Sequence, residues 1–250
     1  MLILFALVVM RMSGAVVFNP VLGRTNIPRT AKGAMVFMFS LLLYLGTEGN
    51  LQHEPATLLE FGVMLIKELM VGFVIGYSME LGFMVVRFAS SIVDHTMGLS
   101  MAQSYDPQYN TQMTITSNLY YAFLFLLFLA GDGHVRLLAL FFSSARLIPF
   151  GQVTINTELA QMMLETFNAN IAMGLQLAFP IIAMELVTEA AIGILMRMIP
   201  QINVFAVNFQ LKIIVGLFML LFMFSPMSER LYVIIDHMFM YMQQLFIVMS

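Results

Sequence analysis

Cysteine and tryptophan are absent from this 250-residue sequence, and charged residues make up only 10% of it. Without cysteine, disulfide bonds and thiolate metal sites are excluded. Ordinary soluble domains carry about 25% charged residues, so this chain has too little polar side chain to cover a soluble surface. Since 60% of its residues are apolar, we expect lipid or partner subunits to cover much of it.

Signatures of nucleic-acid binding and of catalysis are also missing. The net charge is −3 and no basic run occurs, so nucleic acid is not an expected partner. Gly76-Tyr77-Ser78 lacks the second glycine of a nucleophile elbow, and the four histidines lack metal-ligand spacing. No phosphate-binding glycine loop occurs either. The sequence therefore predicts no enzymatic activity, no cofactor and no metal site.

The sequence does contain a series of apolar blocks that polar connections separate. A simple membrane-spanning helix needs about 20 apolar residues with few charges, and several blocks are too short or carry charges. We therefore expect an all-α membrane protein whose helices are poor isolated spans. We expect Pro180 to begin the helix of the sixth block and Pro200 to end it. The blocks are 1–18, 33–46, 58–101, 117–130, 134–148, 168–199, 204–224 and 231–249.

Acidic residues and glycines share one face of the third block. Glu68, Gly72, Gly76 and Glu80 recur every four residues, which places them on one side of a helix. The two glycines permit close approach of another helix, and the carboxylates should not face lipid. A helix–helix contact is the simpler interpretation, and a coupling-ion site is the alternative.

Charges continue along the same block at a spacing of seven residues. Arg87 and Asp94 follow Glu80 on one face if the helix continues. Two turns separate successive members, so each needs a partner elsewhere, in a polar lumen or on a neighbouring subunit.

A second charged stripe lies in the sixth block, where Glu185, Glu189, Gly193 and Arg197 recur every four residues. Like charges at this spacing repel, and both acids stay ionised in apolar surroundings only if a cation pairs with them. Ionisable residues within membrane segments are functional candidates. An inter-subunit layer of ion pairs and a coupling mechanism both fit this stripe.

The longest polar stretch is 103–118, in which Asp106 is the only charge. Asp106-Pro107 should open a turn. Such a loop cannot rest in lipid, because its backbone groups would lose their hydrogen bonds. It lies either in water or inside a protein-lined cavity.

Several motifs resemble the FliR family, called SctT in virulence injectisomes. Arg197 to Phe205 resembles the family segment R-x-x-P-Q-x-N-V-F, and Ala178 to Ile181 resembles A-x-P-I. One departure is Asn208-Phe209-Gln210-Leu211, where the family usually has Gly-Phe-Pro-Leu. Further matches occur in family order along nearly the whole chain at Pro20, Ile27-Pro28, Lys32, Gly98, Asp106-Pro107, Gly133-His134, Pro149 and Gly151.

The resemblance implies a subunit of the flagellar type III export gate in the bacterial inner membrane, within the basal body. In this family, one FliR-like chain assembles with FliP and FliQ subunits into a closed helical pore. An FlhB-type switch protein wraps the pore, an FlhA-type protein docks below, and unfolded subunits pass through. The implied fold is one domain of bent helical hairpins, 1–250, packed in a hetero-oligomeric assembly and touching lipid. About 1–200 would be FliP-like and about 201–250 a FliQ-like helical hairpin.

The resemblance also implies two groups of site residues and leaves alternatives open. The polar segment falls where the family carries a plug loop, with candidate gate residues Met101, Tyr105, Asp106, Pro107, Tyr109 and Met113. Candidate assembly or coupling residues are Glu68, Glu80, Arg87, Glu185, Glu189, Arg197, Pro200, Gln201, Asn203 and Phe205. The alternatives are an injectisome gate subunit, an ion-coupled secondary transporter and a scaffold that does not conduct.

Overall fold

The computed structural model describes residues 1–47, 54–101, 103–106, 111–199 and 204–249. A 3-10 turn, Leu99–Met101, and two short strands, β1 (Gln103–Asp106) and β2 (Thr111–Thr114), lie between the third and fourth helices. The helices in these residues are α1 (Leu2–Val17), α2 (Arg29–Gly46), α3 (Leu58–Thr96), α4 (Ile115–Ala130), α5 (Gly133–Leu147), α6 (Thr157–Met198), α7 (Val204–Phe222) and α8 (Phe224–Met249).

Polar residues at the helix ends explain where several helices begin. The Thr57 hydroxyl accepts a hydrogen bond from the Glu60 amide at 3.2 Å, and the Glu60 carboxylate accepts one from the Ala56 amide at 2.8 Å. This reciprocal arrangement resembles a capping box and begins α3. Asn156 similarly accepts a hydrogen bond from the Leu159 amide at 3.1 Å and caps α6.

The chain forms two compact units, each assembled from separate segments. Unit 1 contains Met1–Gly82, Phe128–Asn168 and Ile235–Ser250, and unit 2 contains Phe83–Leu127 and Ala169–Ile234. Helices α3, α4, α6 and α8 therefore each contribute residues to both units. The core of unit 1 includes Leu7, Val8, Met12, Val71 and Phe141, and that of unit 2 includes Phe83, Val86, Ala89, Tyr120 and Leu124.

Two helices in the described residues, α6 and α8, are long and apolar enough to cross a membrane. A third crossing is possible if α4 and α5, which are bent by 68° at the break between them, form one span. These helices confirm the predicted all-α membrane class. Only 17% of the most apolar window of α6 is buried within the chain, so lipid or another subunit must cover the rest.

Pro180 does not begin a helix, contrary to the prediction, because α6 begins at Thr157 and contains Pro180 in its interior. Proline lacks the amide that would donate to the carbonyl of Gln176, yet membrane helices tolerate this loss where other groups satisfy the backbone. The longer helix also provides a window with at most two charges, so α6 passes the spanning test despite its acids. The predicted end at Pro200 lies outside the described residues.

The break between α7 and α8 has a proline nearby that accounts for it. Only Met223 separates the two helices, and Pro226 lies in the first turn of α8. Proline cannot donate to the carbonyl four residues earlier, which is that of Phe222, the last residue of α7. Helical hydrogen bonds from the Met223 amide to Met219 (2.8 Å) and from Met227 to Met223 (2.9 Å) flank the break.

The polar stretch that we expected to be a loop is a β-hairpin followed by a helix. Strands β1 and β2 are antiparallel, with Gln103 opposite Thr114 and Asp106 opposite Thr111. Residues 115–118 belong to α4, because hydroxyl-bearing residues ahead of an apolar run favour a helix start. The connection between α3 and α4 therefore ends at 114 and not at 118, as the polar composition had indicated.

Candidate functional site

A fully buried ion pair connects α1 with α3. The Arg11 Nε donates to the Glu68 Oε2 at 2.6 Å, and neither side chain is exposed to solvent. The other guanidinium nitrogens donate to the carbonyls of Ser144 (2.9 Å) and Ile148 (3.0 Å), at the end of α5. The Gly151 amide donates to the Glu68 Oε1 at 2.9 Å. The pair therefore fastens three helices of unit 1 together.

The surroundings of Arg11 keep both charges satisfied. The guanidinium carbon lies 4.1 Å from the centre of the Phe150 ring, within the range of a cation–π contact. Burial lowers the pKa of Arg11, while the charge and hydrogen bond of Glu68 act in the opposite direction. Because the two side chains form a buried, hydrogen-bonded ion pair, removal of either one would leave the other without its counter-charge.

Small residues let α1 and α3 approach closely beside this pair. A Cβ atom at Gly72 would lie 2.0 Å from the Arg11 carbonyl oxygen, and one at Gly14 would lie 2.6 Å from that of Leu69. A Cβ atom at Gly76 would lie 2.7 Å from the Phe18 carbonyl carbon. The glycine face predicted from the sequence therefore makes the close helix contact that its spacing indicated.

Glu80 and Arg87 are both half-buried, and each interacts with another residue. The sequence predicted partners for these charges in a polar lumen or on a neighbouring subunit, and that stays a prediction. Glu80 is the last residue of the first acidic stripe and lies in unit 1, whereas Arg87 lies in unit 2. Their roles in assembly or coupling stay predictions.

Asp94 lies at the base of the hairpin. Its Oδ2 accepts a hydrogen bond from the Thr116 amide at 2.9 Å, its Oδ1 accepts one from the Thr116 hydroxyl, and the carboxylate is buried. Thr116 is in the first turn of α4, so the Asp94 carboxylate on α3 caps the N-terminus of α4. The positive end of the α4 dipole lies there and stabilises a negative charge. The nearby Thr114 hydroxyl donates to the Ser117 hydroxyl at 2.9 Å. The junction between β2 and α4 is thereby fixed to α3.

Of the candidate gate residues, four belong to described backbone. Met101 ends the 3-10 turn, and the register places Tyr105 opposite Gln112 and Met113 opposite Ser104. Asp106 is the last residue of β1. Pro107 and Tyr109 lie outside the described residues. The hairpin thus connects α3 to α4 with its candidate gate residues on both strands.

The acids of α6 have different surroundings. Glu189 forms an ion pair with Lys212 of α7, a partner that the sequence did not identify. Glu185 is buried, and neither of its carboxylate oxygens has a hydrogen-bond partner among the described residues. Arg197 is exposed and pairs with no acid in the described part of the chain. Pro200, Gln201 and Asn203 lie outside the described residues, and Phe205 belongs to α7 by its backbone.

Three partners were missed from the sequence, although each left some signal. Arg11 interrupts an otherwise apolar block, which is unusual unless it is paired. Lys212 is the only cation within α7. Thr116 has the residue type that caps a helix ahead of an apolar run. Each signal marks a polar group that needs a partner, but none names the partner.

The structure contains no group of three or more His, Cys, Asp or Glu arranged to hold a metal ion within the described residues. The charged groups there act through ion pairs and hydrogen bonds instead. Arg11 and Glu68 connect helices, and Asp94 caps α4. Glu185 on α6 is an acid without a hydrogen-bond partner among the described residues.

Comparison with known proteins gives matches along most of the chain. Residues 2–238 match the family described as bacterial export proteins, family 1. The chain is 30% identical over 203 residues to the flagellar biosynthetic protein FliR of Aquifex aeolicus, covering 81% of this chain and 78% of that protein. It is 29% identical over 222 residues to FliR of Bacillus subtilis, and the match covers 87% of this chain and 84% of that protein. It is 25% identical over 222 residues to the surface presentation of antigens protein SpaR of Shigella flexneri, and the match covers 88% of this chain and 84% of that protein.

Proposed function

This chain belongs to family 1 of the bacterial export proteins, and we propose that it is a core subunit of the flagellar type III protein export gate. The family match over residues 2–238 is the observation that carries this proposal. Similarity to two FliR proteins over more than three quarters of their length supports the flagellar assignment. Membership also confirms the FliR resemblance that the sequence motifs predicted.

In this proposal the chain works as part of a conduit in the bacterial inner membrane, within the flagellar basal body. It assembles with FliP-like and FliQ-like subunits into a closed pore for unfolded flagellar subunits. An FlhB-like switch protein and an FlhA-like export protein are further partners. The largely uncovered apolar surface of α6 supports both a membrane location and packing against other subunits. In this proposal the chain has a structural role and no enzymatic one.

The hairpin formed by β1 and β2 is the proposed closing element of this gate. It is polar, and Asp94 and Thr116 hold its second strand where α4 begins. A two-stranded hairpin satisfies part of its own backbone hydrogen bonding, which suits a segment that enters a protein-lined cavity. Uncharged polar residues can close such a path without binding a passing chain tightly.

The charged residues divide into internal and external roles. Glu68 has its partner within the chain, so it contributes to assembly by fixing the shape of unit 1. Glu185 and Arg197 are the proposed contacts to neighbouring subunits, since neither has an ion-pair partner among the described residues. Further proposed assembly or coupling residues are Glu80, Arg87, Glu189, Pro200, Gln201, Asn203 and Phe205.

A second candidate function is that of an export-gate subunit in a virulence injectisome. The similarity to SpaR of Shigella flexneri, which covers 88% of this chain, favours it. The higher identity to flagellar relatives places it behind the flagellar proposal. The two functions use the same pore architecture and differ in what is exported.

Deletion of the gene in its own host tests the proposal. We expect loss of swimming and of exported hook and filament subunits, both restored by the wild-type gene. The tagged chain should co-purify from membranes with FliP-like and FliQ-like proteins. Normal flagellar export without the chain contradicts the flagellar assignment, and selective loss of effector secretion supports the injectisome instead.

A further inference from the structure

Unit 2 contains an acidic cavity of about 270 Å³ that the functions above do not explain. It lies between the end of α3 and helices α6 and α7, and its polar lining consists mainly of ionisable groups. Ile182 and Leu186 supply apolar wall. The ionisable side chains are His95, Glu185, Glu189 and Lys212.

Glu185 is the group in this cavity that lacks a partner. Its side chain is only 2% exposed, and neither carboxylate oxygen accepts a hydrogen bond from any described residue. Native proteins rarely leave buried polar atoms unsatisfied, because each loses its hydration without compensation. The lining of the acidic cavity is therefore complete only when a further donor is present.

The charges around Glu185 do not balance. Lys212 forms its ion pair with Glu189, so two carboxylates share one ammonium group. With both carboxylates ionised and histidine neutral, the acidic cavity would carry one negative charge more than Lys212 balances. A single positive charge would balance it, and within the described residues no other cation lines the cavity.

The surface beside the acidic cavity indicates what brings that charge. Leu186 and Val187 are 59% and 63% exposed, on a helix whose most apolar window is only 17% buried. A water-borne ion would leave this apolar surface uncovered. A cation carried on an apolar helix would cover the surface and satisfy the acid together.

We propose that the acidic cavity receives the guanidinium group of an arginine on a helix of a neighbouring subunit. The planar fork of arginine donates to both oxygens of one carboxylate, which matches two oxygens without partners on Glu185. A phospholipid amine fits less well, since its phosphate would face Glu189. The inference rests on the proposed function, because it requires an assembly with another subunit.

Photo-cross-linking in the intact membrane complex tests which molecule occupies the acidic cavity. A benzophenone amino acid replaces Leu186, and the control replaces Leu164, which is equally apolar, 65% exposed and also on α6 but in unit 1. We expect the Leu186 probe to join a peptide of another protein that carries an arginine within about one helical turn. Adducts with lipid alone, or with peptides lacking arginine, contradict the proposal.

A charge-removal series supplies a second measurement. Glu185→Gln should reduce recovery of partner subunits with the purified chain at least about tenfold, because the guanidinium is left unpaired. Glu165→Gln, an exposed acid on the same helix, should change nothing. Replacing the cross-linked arginine by Met together with Glu185→Met should restore recovery.

The outcomes separate this inference from the proposed function. If Glu185→Gln leaves the complex fully intact, the arginine contact is wrong and the export-gate proposal stands. An intact complex that no longer exports assigns Glu185 to coupling instead of assembly. If the wild-type chain co-purifies with no other protein, the export-gate proposal fails, and this inference fails with it.

Discussion

The Arg11 Nε atom lies 2.6 Å from the Glu68 Oε2 atom, although 57 residues separate the two in the chain. Both side chains are completely buried, and both are also hydrogen-bonded to backbone near the end of α5. A buried pair of this kind is costly to break on one side, and its hydrogen bonds specify one arrangement of three helices.

Arg11→Met should destabilise unit 1 by about 3–5 kcal/mol, because the buried Glu68 would lose its counter-charge and keep only the hydrogen bond from the Gly151 amide. The double variant Arg11→Met with Glu68→Met should recover most of this loss. Protease resistance and thermal unfolding of the detergent-purified complex measure the effect. Equal stability of the single variant and the wild type would contradict the role assigned to the pair.

Gly72→Ala should destabilise the contact between α1 and α3, because the new Cβ atom would lie 2.0 Å from the Arg11 carbonyl oxygen. Overpacking of this kind costs about 1–3 kcal/mol. Gly62→Ala is the matched control on the same helix, since its Cβ atom would meet nothing within 4 Å. That control should be neutral or stabilising by up to about 1 kcal/mol. Identical unfolding temperatures for both variants would refute the close approach.

Asp94→Ala should loosen the base of the hairpin, because Thr116 loses both hydrogen bonds to the carboxylate. Loss of a helix cap costs about 1 kcal/mol, which should raise ion leakage while the complex still assembles. Asp132→Asn is the control, because Asp132 precedes α5 without a side-chain capping bond. Leakage of small dyes, with complex yield measured in parallel, checks this. A leak of equal size in both variants would argue against a sealing role for the hydrogen bonds between Asp94 and Thr116.

Deletion of residues 107–113 should raise small-ion permeability and leave the assembled complex intact. The reason is that the shortened segment would no longer fill the proposed pore. Export should persist, since apolar constrictions on neighbouring subunits can still surround a moving chain. An intact complex without added leakage would place the hairpin outside the seal.

Arg197→Ala should impair complex formation before it impairs transport. Arg197 is exposed and lacks an ion-pair partner in the described residues, as expected for a contact that another subunit completes. If it pairs with a buried acid there, the loss should be about 3–5 kcal/mol. Arg146→Ala, a basic residue in the last turn of α5, serves as the comparison. Normal complex yield with failed export would instead assign Arg197 to coupling.

Local features of the sequence predicted most helices, because apolar runs and capping residues are read from neighbours in the chain. The predicted beginning of the third block at 58 matches α3, where Thr57 and Glu60 cap the helix. The sixth apolar block was placed from 168 and its helix start at Pro180, whereas α6 begins at Thr157, since its first turns are mixed in polarity and only Asn156 marks the cap. The strands of the hairpin were missed because each has only four residues.

The sequence by itself determined the membrane class, the helical faces and the family, because composition, spacing and motif order are properties of the chain alone. It identified Glu68 as an acid that should not face lipid, and Asp94 and Glu185 as acids that need partners. Only the tertiary structure decided that Arg11 satisfies Glu68, that Thr116 satisfies Asp94, and that Glu185 is left without a partner within the described residues. The physical reason is that a charge finds its partner across packed helices, and the packing depends on contacts between segments that are far apart in the sequence.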